Sequence, residues 1–281
     1  MPSKRNYPVY KSMPIFTIIT VCYNEAGNIK KTLESVINQT FNDYELIVVD
    51  GGSTDGTIDI VKQYEGYFAW WCSEPDNGIF NAMNKGVSHA TGNYVIFINA
   101  GDWFYDENVL DNVYKSGLKA DIIEGHTIRA DKMIRHRPVY KDIYEHLFTD
   151  TLSHQGTFIR RELLLAHPYD EKYKIVSDWK FWIETLILEK NTYAFVDMDI
   201  AYFDMSGISF TQIELRENER EKVYQELFPP QMVGFIHSYN KAYSLALVKY
   251  AVYLDEHSPR GYKLVRKLAK RVVKVVNHIR K

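Results

Sequence analysis

The chain has 281 residues, a length that suits one large domain or one domain with a small appendage. Charged residues make up 25% of it, hydrophobic residues make up 46%, and the formal net charge is -2. This composition is typical of a globular protein and excludes a disordered chain. The small net charge removes the general signature of a nucleic-acid-binding protein, so no nucleic-acid partner is expected.

The N-terminal residues and the cysteines indicate the compartment. Residues 1–14 contain no apolar stretch of signal-peptide length, and no window of the chain is long enough for a membrane span. Cys22 and Cys72 lie in apolar, strand-like runs, where free buried thiols are the usual state. We therefore expect a cytoplasmic protein without a disulfide framework.

Short apolar runs alternate with segments of helical spacing in the first hundred residues. The predicted strands are 15–21, 45–50, 67–72 and 94–98, and the predicted helices are 26–38, 58–64 and 79–89. Further along, the pattern predicts a strand at 120–128, a hairpin arm at 135–140, an amphipathic helix at 180–189 and helices from 212 onward. Alternating strands and helices predict an α/β fold with a mostly parallel sheet covered on both faces.

Polar segments follow each of the first four predicted strands. They are Tyr23-Asn24-Glu25, Asp50-Gly-Gly-Ser-Thr-Asp55, Glu74-Pro-Asp-Asn-Gly78 and Asn99-Ala-Gly-Asp102. Ligands of such sheets bind beyond the carboxyl ends of the strands, so these segments predict one site. For the loop 50–57, glycine turns and helix capping explain the residues about equally well. No Gly-x-Gly-x-x-Gly or phosphate-binding Gly-x-x-x-x-Gly-Lys loop follows the first strand, which argues against a dinucleotide-dependent oxidoreductase.

The order of these motifs resembles family 2 glycosyltransferases. The segments are Ile19–Glu25, Val49–Thr57, Asp76–Gly86, Ala90–Gly92 and Phe97–Asp102, with a looser similarity to about Gly207. The resemblance implies a Rossmann-like, A-type nucleotide-diphospho-sugar transferase fold with a helical C-terminal extension. It also implies inverting transfer of a sugar from a nucleotide-diphosphate donor to a hydroxyl of a glycan or lipid-linked acceptor, in surface polysaccharide biosynthesis.

The resemblance assigns a donor site to the first half of the chain. Cys22, Tyr23, Asn24 and Glu25 would surround the nucleotide, and Asp50 would accept a hydrogen bond from the base. Asp76 and Lys85 would line the sugar-nucleotide pocket, and Asn99 would bond a ribose hydroxyl or a cation. A solvated helix face is nearly as good an explanation of Lys85, and Asn81 and Asn84 fit helix-surface amides.

The metal motif of the family is reduced here to Asp102, which implies Mg²⁺ or Mn²⁺ held with help from the donor diphosphate. A capped turn is the alternative for this residue. His154 would ligate the metal, contact the diphosphate or orient the acceptor, and Gln155 would lie on the acceptor side. A structural histidine explains His154 almost as well.

Asp178 in Ser177-Asp178-Trp179 resembles the catalytic base of the family, which deprotonates the acceptor hydroxyl. The alternative is a helix N-cap. Trp179 would stack on an acceptor sugar, although its spacing with Trp182 and Ile183 is also typical of a core stripe.

The C-terminal segment after Glu256 is basic and free of acidic residues. Its cations are Arg260, Lys263, Arg266, Lys267, Lys270, Arg271, Lys274, Arg280 and Lys281. With apolar residues on one helical face, it fits a helix on the inner face of the plasma membrane, or equally a helix packed on the protein. We divide the chain into a catalytic domain, 1–228, with nucleotide-binding (13–105) and acceptor-binding (106–228) halves, and an extension, 229–281.

Two other functional classes stay open from the sequence. A sugar nucleotidyltransferase is disfavoured because its glycine-rich N-terminal loop is missing from 21–28. A catalytically idle nucleotide-sugar-binding or scaffold protein is compatible with the reduced metal motif.

Overall fold

The structure is a computed structural model that describes residues 13–117, 119–136, 143–204 and 211–244, with single positions at 207, 258, 261, 263, 266 and 267. The chain forms two compact units, Met1–Val223 and Tyr224–Lys281. The division lies a few residues before the boundary that we predict at 228, which stays a prediction. No helix among the described residues is long and apolar enough to cross a membrane.

Among the described residues of the first unit, nine strands form one sheet. They are β1 Phe16–Cys22, β2 Tyr44–Asp50, β3 Trp70–Ser73, β4 Tyr94–Phe97, β5 Trp103–Phe104, β6 Ile122–Arg129, β7 Ile134–His136, β8 Thr157–Arg160 and β9 Tyr193–Phe203. Their order is β3-β2-β1-β4-β8-β6-β9-β5, with β7 paired to β6. The α/β fold class predicted from the sequence is confirmed.

The direction of the strands changes at β8. Strands β1 to β4 pair in parallel. Strand β8 runs antiparallel to both β4 and β6, while β6 and β9 are parallel to each other. The sheet is thus parallel in its N-terminal half and mixed in the other half. The carboxyl ends of β1 to β4 lie at one edge, and β8 begins at that same edge.

Among the described residues, seven α-helices lie between strands along the chain and two follow the last strand. They are α1 Ile29–Ile37, α2 Thr57–Gln63, α3 Ile79–His89, α4 Val109–Lys115, α5 Ile143–Thr149, α6 Arg161–Ala166, α7 Ser177–Trp182, α8 Ile213–Leu227 and α9 Pro230–Ser244. One buried cluster includes residues of α1, α2 and α4, and a second includes residues of α3, α6 and α7. Both clusters contain sheet residues, so apolar cores cover both faces of the sheet.

Three predicted elements differ in detail from the structure. The third strand begins at Trp70 instead of 67, because a 3₁₀ turn occupies Glu65–Tyr67. The helix predicted at 180–189 is α7 followed by a π-helical segment, Ile183–Leu188. There the Thr185 hydroxyl donates to the Phe181 carbonyl, a side-chain bond that hydrophobic periodicity does not reveal. The hairpin arm predicted at 135–140 corresponds in its first two residues to β7, which begins at Ile134, and residues 137–140 lie outside the described residues.

The helices predicted from 212 onward correspond to α8 and α9, with the interruption at Pro229. Most of the basic segment after Glu256 lies outside the described residues, so its helical form stays a prediction.

Candidate functional site

The loops after β1 and β2 are tied to each other. The Asn24 backbone N–H donates to Ser53 Oγ at 2.8 Å, and the Asn24 side-chain oxygen accepts from the Thr54 N–H at 2.9 Å. The Glu25 N–H donates to Thr57 Oγ1 at 2.7 Å. Asn24 itself has a φ of 54°, a left-handed conformation that asparagine tolerates better than most residues. Asn24 and Glu25, which are predicted nucleotide-binding residues, therefore hold the two loops together.

Asp50 is fully buried and organises the loop that follows it. Its carboxylate accepts hydrogen bonds from the backbone N–H groups of Gly52 and Ser53, from the Ser53 and Ser73 hydroxyls, and from the Cys22 thiol. Burial, followed by the nearby Asp50 charge, raises the pKa of Cys22, so the thiol stays protonated. Because five donors already occupy the Asp50 oxygens, this geometry does not support the expected hydrogen bond from a nucleobase to Asp50.

A second carboxylate, that of Asp76, lies over the same loop. A β-carbon placed on Gly51 would lie 2.6 Å from Asp76 Oδ2 and 3.4 Å from the ring of Tyr23. The other Asp76 oxygen accepts from the Gly78 N–H at 2.8 Å. Tyr23 is 63% exposed. The missing side chain of Gly51 thus lets the partly exposed Asp76 carboxylate pack directly on the loop, next to the accessible ring of Tyr23.

Lys85 on α3 forms an ion pair with Glu74, with 2.7 Å between Nζ and Oε1. This hydrogen bond is the main cause that raises the pKa of Lys85. Lys85 also acts electrostatically on Cys72 and Asp76, so it lies beside the segment that follows β3. Because the pair is exposed, it is compatible both with the predicted donor contact of Lys85 and with a solvated helix face.

Asp102 lies buried at the end of the loop after β4. Its Oδ1 accepts from the Asp204 N–H at 3.1 Å, and the Gln155 side chain also bonds the carboxylate. Burial raises the pKa of Asp102 to about 7, while His154 and these hydrogen bonds act in the opposite direction. The side-chain oxygen of Asn99 is buried and has no hydrogen-bond partner among the described residues. Two oxygen-bearing groups are thus available for a cation.

His154 contacts Asp178 on one side of its ring and Asn99 on the other. Asp178 Oδ2 is 3.4 Å from His154 Nδ1, and His154 Nε2 is 3.2 Å from the Asn99 amide nitrogen. With the amide nitrogen as donor, Nε2 accepts and Nδ1 carries the proton, a tautomer assigned from the hydrogen bonds. Both ring nitrogens of His154 therefore have partners within the protein.

The antiparallel direction of β8 explains how His154 reaches Asn99. In the register of β4 and β8, Tyr94 pairs with Arg160 and Val95 with Ile159. Residues that precede β8, including His154, therefore lie beyond the carboxyl end of β4, where Asn99 and Asp102 follow that strand.

The structure corrects the expectation for Trp179. This side chain is only 1% exposed, and its Nε1 donates to the Leu147 carbonyl at 2.8 Å. The guanidinium of Arg220 lies 4.9 Å from the ring centre. A sugar cannot stack on a ring that is covered in this way, so the alternative of a core stripe, shared with the buried Trp182, is favoured.

Two site residues were missed by the sequence reasoning. Tyr169 is buried, and burial together with the Asp178 charge holds its pKa well above the ordinary value. Nothing in its local sequence distinguishes it from a core tyrosine. Asp204 directly follows β9 and contacts Asp102, and a polar residue after a strand would have identified it if β9 had been predicted.

Among the described residues, no cluster of three or more His, Cys, Asp or Glu side chains is arranged to hold a metal. The carboxylate of Asp102 and the amide oxygen of Asn99 are nevertheless of the hard-oxygen type that Mg²⁺ and Mn²⁺ prefer. A buried carboxylate whose pKa is raised by desolvation and an amide oxygen without a partner both gain from a cation. The residues present fit a cation that takes further oxygen ligands from a bound diphosphate.

The fold is that of the A-type glycosyltransferases. TarS 1–349 of S. aureus in complex with UDP has a TM-score of 0.62 and 18% identity, covering 82% of this chain and 72% of that one. The mannosyltransferase PcManGT from Pyrobaculum calidifontis, in complex with GDP-Man and Mn²⁺, has a TM-score of 0.58 and 18% identity, covering 95% and 81%. At these identities the likeness shows the fold alone.

The sequence comparison gives the family. Residues 17–166 match Glycosyl transferase family 2, and the chain belongs to this family. A PGL/p-HBAD biosynthesis glycosyltransferase of Mycobacterium tuberculosis is 29% identical over 243 residues, covering 84% of this chain and 94% of that protein. The resemblance found in the sequence motifs is therefore confirmed, and the chain is a glycosyltransferase.

Proposed function

We propose that this glycosyltransferase inverts the anomeric centre as it moves a sugar from a nucleotide-diphosphate sugar to a hydroxyl of a glycan or lipid-linked acceptor. The observation that carries the proposal is that His154 contacts both Asp178 and Asn99. These contacts join the candidate base to the loop that contains Asp102. The similarity to a glycosyltransferase of PGL/p-HBAD biosynthesis supports a role in making surface glycolipids or polysaccharides.

The donor nucleoside binds, in this proposal, beside Tyr23 and Asp76. Tyr23 offers an exposed ring for stacking on a base, and Asp76 offers a carboxylate for a base or ribose hydrogen bond. Asp50 stabilises the adjacent loop through the hydrogen bonds that it accepts from Gly52 and Ser53. TarS was crystallised with UDP and PcManGT with GDP-Man, which supports a nucleotide-sugar donor without selecting the base.

The diphosphate lies between Lys85 and the Asn99–Asp102 loop in this proposal. PcManGT was crystallised with Mn²⁺, which supports a divalent cation here, with Asp102 and Asn99 as its protein ligands. When bound, Mg²⁺ or Mn²⁺ neutralises negative charge on the departing diphosphate. His154, whose two ring nitrogens already have partners, is better suited to orienting Asp178 than to ligating the cation.

Asp178 is the proposed base. Its side chain is 15% exposed, so one face remains open to an acceptor. Its Oδ1 accepts from the Trp179 N–H at 2.8 Å, and its Oδ2 faces His154, which fixes the direction of the carboxylate. As Asp178 removes the proton from the acceptor hydroxyl, the oxygen attacks the anomeric carbon and the nucleoside diphosphate leaves from the opposite face. One direct displacement inverts the configuration.

The substitution Asp178→Asn tests the proposal. The amide keeps the shape and the oxygen bonded by the Trp179 N–H but takes no proton, so we expect single-turnover transfer at saturating donor to fall at least ~10²-fold. Titration calorimetry of the donor nucleotide should give an unchanged Kd. The control is Asp59→Asn on the exposed surface of α2. Equal transfer rates for wild type and Asp178→Asn would refute the base assignment, and no transfer by the wild type would favour an idle nucleotide-sugar-binding protein.

A further inference from the structure

Glu219 is a buried carboxylate on α8, a helix whose other charged residues are largely solvated. It is only 4% exposed, and its two oxygens accept three backbone N–H groups. The bonds come from Lys174 at 2.9 Å, Ile175 at 2.9 Å and Val176 at 3.3 Å. Burying a carboxylate is unfavourable unless donors compensate the lost water, so this contact fixes one geometry between α8 and residues 174–176.

The three bonded N–H groups directly precede α7, the helix that carries Asp178. The N–H groups at the start of a helix lack partners within the helix, and a negative charge close to them is favourable. Val176, which precedes α7, has no polar side chain that could serve as a cap. Glu219 places its charge there by binding the N–H groups of the segment that leads into α7, and it lies more than forty residues further along the chain.

Arg220, the next residue of α8, contacts Trp179, which directly follows the candidate base in the chain. Its guanidinium carbon lies 4.9 Å from the ring centre of Trp179, within the range of a cation–π contact. Trp179 is adjacent to Asp178 and is anchored at its far end to the Leu147 carbonyl. The backbone before Asp178 and the side chain after it are therefore both held by consecutive residues of α8.

We propose that Glu219 and Arg220 are positioning residues for sugar transfer, which act by fixing Asp178 toward His154 and the acceptor. This inference rests on the proposed role of Asp178 as the base. The contacts of Glu219 and Arg220 described above lie on the segment of Asp178, not on the donor loops. A displacement of about 1 Å in a reacting group can cost a large factor in rate, so loosening this segment lowers the rate of transfer more than donor affinity.

The first test compares Glu219→Gln with Glu214→Gln, a matched change at an exposed position of the same helix. The glutamine places an amide N–H₂ group against backbone N–H donors, so at least one of the three bonds is lost. We expect single-turnover transfer at saturating donor to fall at least about tenfold, while the Kd for the donor nucleotide changes less than about twofold. Glu214→Gln should match the wild type. A normal transfer rate in folded Glu219→Gln would overturn the proposal.

The decisive experiment is a double-mutant cycle with Asp178→Asn. If Glu219 acts through Asp178, Glu219→Gln causes no further loss of transfer in the Asp178→Asn background. An equal loss in both backgrounds would mean general structural damage and would overturn the proposal. A wild-type rate in Asp178→Asn alone would instead refute the base assignment, so the two failures are distinguishable.

Arg220→Met provides a second variant in case Glu219→Gln does not fold. It removes the guanidinium from the Trp179 ring but leaves the Glu219 bonds in place. In the same cycle we expect a slower transfer with unchanged donor Kd, and no added effect once Asp178 is asparagine. A folded Arg220→Met protein with wild-type transfer would overturn the role of Arg220, and would overturn the whole proposal if Glu219→Gln were unfolded.

Discussion

Asp102 is a buried carboxylate whose ionised form is unfavourable in the protein without a cation. Its pKa is raised to about 7, mainly by burial, whereas an aspartate in an unfolded chain has a pKa of about 4. The folded protein therefore binds the proton more tightly than the unfolded chain. The stability gained from this proton is full below about pH 4 and is lost as the pH rises to about 7.

We predict that Asp102→Asn raises the free energy of unfolding of the cation-free protein at pH 8, since the amide is neutral at every pH. The difference from wild type should shrink as the pH falls from about 7 to about 4. Urea unfolding at several pH values in the presence of a chelator measures it, with Asp59→Asn as a surface control. The same variant should lose the Mn²⁺-dependent part of nucleotide binding. A pH-independent difference would contradict the assigned environment of Asp102.

The sequence predicts which residues belong to the site better than it predicts their burial and their hydrogen-bond partners. The acidic residues at 50, 76, 102 and 178 follow from motif order, and His154 lies beside Asp178. The sequence did not distinguish Asp50, whose oxygens are occupied by five donors, from Asp76, whose carboxylate lies over Gly51. The sequence is also compatible with both sugar stacking and core packing of Trp179. Such distinctions depend on burial and on partners that are distant in sequence, which local pattern does not contain.

At the scale of elements, α3 holds the loop that leads to α7. The Asn84 amide donates to the Tyr169 carbonyl at 2.8 Å, and its oxygen accepts from the Tyr169 N–H at 2.9 Å. Asn84 and Asn81 both donate to Glu171 as well. Their helical position alone suggests free surface amides, but both side chains are hydrogen-bonded. They fix the loop that places Tyr169 near Asp178.

We predict that Asn84→Ala lowers the free energy of unfolding by about 1–3 kcal/mol, because two backbone groups of Tyr169 lose their partner. Asn81→Ala, which loses a bond to the exposed Glu171 side chain, should cost less than about 1 kcal/mol. Denaturant unfolding of both variants, with limited proteolysis of residues 167–176, provides the measurement. Similar costs for the two substitutions would show that the Tyr169 bonds contribute little.

Hydrophobic pattern predicted the order of the elements in the donor half because each strand and helix there carries its own apolar period. It did not predict the pairing of β8 between β4 and β6, nor the long strand β9. Those pairings join segments that are far apart in sequence, and their order depends on tertiary packing. The hydrophobic pattern therefore does not predict the change from a parallel to a mixed sheet.

At the scale of the whole molecule, the basic C-terminal segment bears on where the enzyme works. A lipid-linked acceptor would lie at a bilayer, and each Lys or Arg near an anionic surface contributes about 1 kcal/mol of attraction. Binding of this segment to the inner face of the plasma membrane stays a prediction, with packing on the protein as its equal alternative.

We predict that deleting residues 257–281 reduces binding to vesicles with anionic lipid but leaves donor hydrolysis in solution largely intact. Binding of the full chain should weaken as salt is added, because the attraction is screened. Co-sedimentation with anionic and with neutral vesicles gives the measurement, and the neutral vesicles are the control. Identical sedimentation of the full and shortened chains would assign the segment to packing or oligomer contacts.

The opposite direction of β8 has a consequence for how such enzymes diversify. The parallel strands β1 to β3 are each followed by a crossover helix, α1 to α3, which returns the chain to the opposite edge of the sheet. The segment that enters β8 has no crossover to complete, and needs only to arrive at Ser153 before pairing begins. Insertions or deletions between β7 and β8 can therefore reshape the side of the site that holds His154 during evolution, while the register of β1 to β4 and the donor loops remain unchanged.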